Sequence, residues 1–381
     1  MERFEIRVSD AVLDDLRERL SRTRFPDQLD GAGWDYGTEL GYLRELCNYW
    51  LEKFDWREVE RRLNRFDQYK TDVDGLGIHF IHARSKEPGA LPLILSHGWP
   101  GSIFLFSKVI EPLRNPVAHG GSAEDAFHVV CPSLPGYAFS DRPRRPGFDV
   151  RSVAETFIKL MEKLGYTRYG AQGGDWGSII TTWMGLLASD RLCGIHLNMV
   201  VAGPPPGVEN PGEGLTPKEQ QDVADLMAFQ KDETGYQSIQ GSKPQTLGYG
   251  LNDSPAGLAA WIVEKFRTWS DCDGDVERRY TKDDLLTNVM IYWITQSITS
   301  STRLYYESMH SGRFAPASDP ITVPTGAAIF PREIIRPPRK WAEAAFNITR
   351  WTEMPSGGHF AALEEPELLV EDIRAFYRDL R

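Results

Sequence analysis

The chain reads as an α/β fold on a mostly parallel sheet, with a helical segment ahead of it and a helical lid inserted into it. Three observations carry that reading. Short apolar runs (residues 91–98, 126–136 and 169–172) alternate with helical stretches, the rhythm of strands buried on both faces and joined by helices. The alternation breaks off at a Pro/Gly-rich link, residues 202–214, gives way to a long helical stretch dense in aromatics, and resumes near residue 321. The length, 381 residues, is too great for one small core and suits one large domain with insertions, or two domains.

Taken in order, the chain opens with a helix for which Asp10 is a suitable N-cap, with Val12, Leu13, Leu16 and Leu20 on one face and an end near Pro26. A Gly/Asp-rich link around Gly31 leads to a second helical run carrying Leu43, Leu46, Trp50, Leu51 and Phe54. Residues 69–84 change to period two around Asp74-Gly75 and read as a hairpin. The three apolar runs then predict strands. The last of them enters a glycine-flanked turn, followed by a helix over 176–188 and a strand over 193–200. Strands resume at 321–330 and 348–354, and a terminal helix from Pro366 buries Leu368, Leu369, Ile373 and Phe376. The resulting division is 1–88 (helical segment and leading hairpin), 89–204 (first part of the core), 205–312 (lid) and 313–381 (remainder of the core).

Composition narrows the function. A formal net charge of −11 argues against nucleic acid or anionic lipid as partner, since both favour basic patches. Cys47, Cys131, Cys193 and Cys272 are scattered without a C-x-x-C pair, which fits a reducing cytosol. The start, MERFEIRVSD, has no basic region followed by an apolar run. Apolar stretches elsewhere are broken by polar residues before a spanning length. A soluble, cytoplasmic protein without a membrane partner is expected, with monomer and homodimer both open.

Chemistry in such a sheet sits at the carboxyl ends of strands. One end carries Gly173-Gly174-Asp175-Trp176-Gly177, the outline of the G-x-S-x-G nucleophile elbow with Asp in place of serine. Glu333 follows a later strand in Phe330-Pro331-Arg332-Glu333, and His359 stands in Gly357-Gly358-His359-Phe360 before the last helix. Nucleophile, acid and histidine thus come in the order of an α/β-hydrolase triad, and His97-Gly98-Trp99-Pro100-Gly101 occupies the place of that fold's oxyanion loop. A plain reading of GGDWG as a helix-capping turn leaves this ordered set unexplained. A serine at the apex suits esters and amides. A carboxylate attacks saturated carbon and forms an alkyl ester that water must cleave, which suits epoxides or alkyl halides.

With these residues the chain resembles the microsomal-type epoxide hydrolases over nearly its whole length. The resemblance includes the N-terminal helical segment, HGWPG, GGDWGS, the lid stretches LNDSPAGLAAWIVEKF and DDLLTNVMIYW, FPRE, and GGHFAALEEPELL. It implies an acid at Glu333 and two lid tyrosines that hold the epoxide oxygen, matched by Tyr236 and Tyr305. It also implies no cofactor or metal, and epoxide and water as the reacting partners. Members with a membrane anchor carry it ahead of the segment where this chain begins, so a soluble form is expected. In the implied mechanism Tyr236 and Tyr305 donate to the ring oxygen while Asp175 attacks carbon. His359, oriented by Glu333, then activates water, and the backbone N–H groups of Trp99 and Trp176 hold the oxyanion.

Alternatives stay open at several positions. Glu307, Asp319 and Glu353 also lie between nucleophile and histidine, and Tyr306 adjoins Tyr305. His79 and His82 fall in the hairpin and read as structural. Asp271-Cys272-Asp273-Gly274-Asp275 lacks the spacing of a calcium loop. A haloalkane dehalogenase shares the Asp elbow, the histidine and a Trp after the nucleophile. A non-catalytic ligand-binding protein on the same scaffold is the alternative of another class. The aromatic lid points to a bulky, apolar or aryl-substituted epoxide. Detoxification and the tailoring of a secondary metabolite, such as an enediyne precursor, are equally compatible.

Overall fold

The strand residues in the computed structural model, which describes residues 1–314 and 320–381, are β1 Glu2–Phe4, β2 Gln68–Val73, β3 Leu76–Ala83, β4 Leu91–Ser96, β5 Phe127–Pro132, β6 Tyr169–Gly173, β7 Leu192–Leu197, β8 Ile321–Ile329 and β9 Phe346–Glu353. They form a nine-stranded sheet in the order β1-β2-β3-β5-β4-β6-β7-β8-β9. The first three strands, and the β3–β5 pair, are antiparallel; every later pairing is parallel. The parallel strands read as unbroken apolar runs because helices cover both faces. Successive residues still alternate sides. Leu93 and Leu95 join the cluster with Phe127, Ile373 and Phe376, while Ile94 joins the larger cluster on the opposite face.

Register decides where chemistry can occur. Ser96, the last residue of β4, pairs beside Gly173, the last of β6. The chain leaving β4 as His97-Gly98-Trp99 therefore runs alongside the chain leaving β6 as Gly174-Asp175.

The N-terminal helices brace the lid. Helices Asp10–Ser21 and Leu40–Glu52 bury Leu13, Leu16, Leu20, Leu46 and Trp50 in the same cluster as Leu258 and Ile262 of lid helix Pro255–Thr268 and Leu285 and Val289 of lid helix Lys282–Thr295. Polar ties reinforce this packing: the Thr38 hydroxyl donates to the Ala260 carbonyl at 2.7 Å, and the Tyr49 hydroxyl to Asp283 at 3.0 Å. The rest of the lid is helices Pro217–Asp232, Gly235–Ser242, Pro244–Asp253 and Ile298–His310. No helix among the described residues is long and apolar enough to cross a membrane.

Several boundaries differ from the sequence reading. Ser9, not Asp10, occupies the N-cap position. Asp10 is the first helical residue, its carboxylate turned to Arg57, and the helix ends at Ser21 well ahead of Pro26. A third helix, Trp56–Leu63, and the edge strand β1 were not expected. Leu368 of the terminal helix Pro366–Arg378 is only half-buried, whereas Leu369, Ile373 and Phe376 are buried.

Candidate active site

Asp175 sits at the apex of the turn between β6 and the helix Trp176–Leu187, with φ +54° and ψ −132°. An L-residue is rarely held at positive φ, and such strain persists only where the surroundings enforce it. Here they do: a Cβ at Gly177 would overlap the Ser96 carbonyl, so helix and strand close on each other only through glycine. Opposite the apex, Gly98 leaves room for the Asp175 carboxylate itself. The Trp99 backbone N–H then donates to Asp175 Oδ1 at 2.7 Å. The Trp176 N–H, at the first helical residue, is among the amides that no helical carbonyl can satisfy.

His359 approaches from the loop after β9. Its Nε2 lies 3.4 Å from Asp175 Oδ2, and its Nδ1 lies 2.6 Å from Glu333 Oε1. The loops carrying the two side chains are tied together, since the Arg332 N–H donates to the Gly357 carbonyl at 3.1 Å. Burial disfavours a charged imidazole at this position. The carboxylates of Glu333 and Asp175 on either side outweigh it, and the pKa is pushed up to about 10. Of the other acids, Glu307 accepts from the Gly147 N–H, Glu353 faces Lys218 at 3.7 Å, and Asp319 lies outside the described residues.

Tyr236 opens helix Gly235–Ser242, and Tyr305 lies inside helix Ile298–His310; both are buried. The Tyr236 ring stacks on Trp99 with centroids 5.3 Å apart at 9°. Tyr305 meets Trp99 edge-on at 5.9 Å and Trp176 at 4.7 Å, and the phenol rings lie 6.0 Å apart. Burial, reinforced by the nearby Asp175 charge, raises both phenols above the ordinary tyrosine range, so both carry their protons at neutral pH. Tyr306 points elsewhere, 37% exposed and stacked on His310.

Two openings reach these groups. A cavity of about 30 Å³ lies against Asp175 and His359, lined also by Trp99, Leu105, Asn198 and Phe360. A crevice of about 1250 Å³ between the lid and the segment Gly31–Gly37 has Tyr236 and Glu333 in its wall.

Two family models match the chain: the epoxide hydrolase N terminus over residues 1–106, and the alpha/beta hydrolase fold over residues 92–366. Epoxide hydrolase 1 of Oryctolagus cuniculus is 41% identical over 402 residues, covering 98% of this chain and 88% of the relative. The crystal structure of juvenile hormone epoxide hydrolase from the silkworm Bombyx mori superposes with a TM-score of 0.92 at 35% identity, covering 100% of this chain and 94% of that one. The chain belongs to the epoxide hydrolase family.

Within this epoxide hydrolase, some neighbours of the site are not singled out by the sequence, although Asn288 and Glu364 fall within stretches that carry the resemblance. Trp269 presents its carbonyl to the His359 N–H at 2.9 Å, and its ring meets the imidazole edge-on at 5.0 Å. Glu364 accepts from the N–H groups of Asp271 at 2.8 Å and Phe360 at 2.9 Å, tying the residue after His359 to the segment that follows the lid helix Pro255–Thr268; burial pushes its pKa up to about 7. Asn288 clasps the HGWPG loop, donating to the Pro100 carbonyl at 2.7 Å and accepting from the Ser102 hydroxyl at 2.9 Å. His97 is neutral and structural. Burial lowers its pKa to about 4, and its Nε2 accepts from the Leu134 N–H at 3.3 Å. His79 and His82 are likewise structural, their rings hydrogen-bonded to neighbouring side chains: His79 to Ser133 and Gln68, and His82 to Tyr166.

Proposed function

We propose that this protein adds water to an epoxide, giving a vicinal diol, by way of an alkyl ester on Asp175. The observation that carries the reading is the Asp175 carboxylate at a strained apex, held by the Trp99 N–H, with His359–Glu333 against it and two protonated phenols in the adjoining aromatic cluster.

In the first step Asp175 attacks a ring carbon, the C–O bond breaks, and its electron pair stays on oxygen. Tyr236 or Tyr305 supplies the proton that oxygen needs. Hydrogen bonds from phenols strengthen as charge builds on the leaving oxygen, so they favour the transition state over bound substrate. In the second step His359 takes a proton from water and the hydroxide adds to the ester carbonyl. The oxyanion that forms is held by the N–H groups of Trp99 and Trp176; its collapse breaks the acyl C–O bond, and the departing oxygen takes the proton carried by the His359 imidazolium, completing the diol. Glu333 orients the imidazole and balances its positive charge.

The aromatic lining around Trp99, Trp176, Tyr236 and Trp269 supports a bulky, apolar or aryl-substituted epoxide. The silkworm relative's name, a juvenile hormone epoxide hydrolase, is compatible with that choice. Four buried free thiols support action in the reducing cytoplasm. Diol formation from styrene oxide, measured beside bromide release from 1,2-dibromoethane, tests the reading. Diol without bromide is the expected result. Bromide without diol would turn attention to the buried Trp99 indole N–H, which has no partner among the described residues, and to dehalogenation. Ligand binding without turnover of any epoxide would mark a binding protein.

A further inference from the structure

Lys265, in lid helix Pro255–Thr268, is only 6% exposed. A lysine so deeply buried is uncommon, because its charge must be held by something other than water. Glu264 pairs with it directly. It sits in the wall of the crevice between the lid and Gly31–Gly37, flanked by two aromatic rings: the ammonium lies 4.9 Å from the centroid of the Tyr236 ring and 5.8 Å from that of Trp269. Those rings lie 5.2 Å from each other, and the opposite face of the cluster is Trp99, stacked on Tyr236.

A cation over an aromatic face is attracted by the electron density of the ring. A phenol that is giving up its proton acquires far more of that density, since the phenolate charge spreads into the ring. The attraction therefore grows during proton transfer, which is the condition for lowering a barrier rather than tightening binding. We infer that Lys265 is a positioning residue for the first step, its ammonium stabilising the negative charge that builds on Tyr236 as that phenol protonates the epoxide oxygen. The inference rests on the proposed Asp175 ester route. The proton balance is simple: the Tyr236 O–H bond breaks, the O–H bond of the new alcohol forms, and Lys265 keeps its protons throughout.

Other charges bear on the same ring. Glu264 and Arg267 lie on the lysine's own helix and Glu233 follows the lid helix Pro217–Asp232; all three line the crevice with Tyr236. Tyr305 approaches from helix Ile298–His310 and Asp175 from the elbow, while His359 stands behind Trp269. The charges of Asp175 and Glu264 oppose ionisation of Tyr236, and the adjacent cation works against them.

The test is a double-mutant cycle on the alkylation rate, read by rapid quench and intact-mass detection of the ester with styrene oxide. Lys265→Met should slow alkylation on the order of tenfold in the parent enzyme. It should have less than about a twofold effect in the Tyr236→Phe background, where the phenol beneath the ammonium is gone and only Tyr305 remains as donor. Lys265→Arg should restore most of the rate, and ester hydrolysis should be unaffected by each change. Equal slowing in both backgrounds would mean that Lys265 acts only through packing, and would overturn the inference. If Lys265→Met does not fold, Glu264→Gln probes the same field with opposite sign. Alkylation should then become faster, and an unchanged or slower rate overturns the inference. Absence of any ester in the parent enzyme would instead defeat the Asp175 route itself.

Discussion

The Trp99 backbone N–H donates to Asp175 Oδ1 at 2.7 Å, so the two carboxylate oxygens are not equivalent. Oδ1 already accepts from the backbone N–H proposed as an oxyanion-hole donor, while Oδ2 faces the His359 imidazole at 3.4 Å. In the proposed ester route the attacking oxygen is therefore Oδ2, and Oδ1 would become the ester carbonyl and, in the second step, the oxyanion. A donor in place before the charge develops needs no reorganisation when it does.

His359 should matter only after the ester exists. With His359→Gln, styrene oxide should still alkylate Asp175, and intact-protein mass spectrometry should show one added epoxide mass. Ester hydrolysis should fall by at least about a hundredfold, the usual scale for losing a general base. Unmodified protein, with binding retained, would remove His359 from the water-activating role.

The pH dependence follows from the same charges. Burial opposes the imidazolium, but Glu333 and Asp175 together raise its pKa to about 10, so His359 is protonated in the free enzyme at neutral pH. Esterification removes the Asp175 charge and with it one of the two supports, so the pKa must fall in the intermediate. The imidazole is thus set free when a base is needed. Single-turnover ester hydrolysis should rise with pH through a midpoint below 10. A midpoint at or above that value would show that Asp175 does not sustain the imidazolium.

The phenols predict a graded loss. Tyr236→Phe and Tyr305→Phe each remove one donor to the leaving oxygen, a change of about a hundredfold in alkylation rate. Each single variant should remain measurable and the double variant should be inert. Near-normal alkylation by the double variant would move the acid role elsewhere.

How far the sequence led to this site varies residue by residue. The elbow was legible because glycines at 173, 174 and 177 answer a steric demand that few other turns make. Glu333 could not be separated from Glu307 and Glu353 by order along the chain. The fold separates them by pointing only Glu333 at the imidazole, while Asp319 stays outside the described residues. Tyr305 and Tyr306 are adjacent in sequence yet about 100° apart around a helix, so one faces the cluster and its neighbour faces solvent. The three-residue strand β1 is too short to show a period, and it forms only because β2 offers an edge. Asn288 and Lys265 fall within lid stretches that carry the resemblance, but which groups they and Trp269 meet is set by contacts between distant segments, which no local pattern encodes.

A structural prediction concerns Asp372, buried beneath the sheet away from the site. It takes hydrogen bonds from His196 at 2.9 Å, Arg350 at 2.7 Å and Thr352 at 2.7 Å. Burial works against its charge, but these partners outweigh burial and hold its pKa at about 2, against an ordinary 3.8. A depressed carboxylate stabilises the fold above its unfolded pKa, and that contribution is lost as pH falls from 3.8 toward 2. Asp372→Asn should cost about 3 kcal/mol at neutral pH by leaving buried partners unpaired, measured by urea unfolding. The gap between parent and variant should narrow over the same acidic interval. A constant gap would mean that shape, not charge, is what Asp372 contributes.

The last prediction separates attack by Asp175 from direct attack by water on the epoxide. In the ester route the diol leaves with an oxygen that Asp175 already carried, because water adds at the carbonyl carbon and the alkyl C–O bond stays intact. A single turnover in oxygen-18 water, with enzyme in excess, should therefore yield mostly unlabelled diol and place the label in the Asp175 peptide. Repeated turnover should then release labelled diol as the exchanged carboxylate is reused. If Asp175 were instead a general base, the first diol would carry the label and the peptide none. Asp175→Asn gives an independent check: an amide is a poor nucleophile, so alkylation should fall to background. Slow recovery on standing would report deamidation back to Asp, and the recovered protein should again take up label at residue 175.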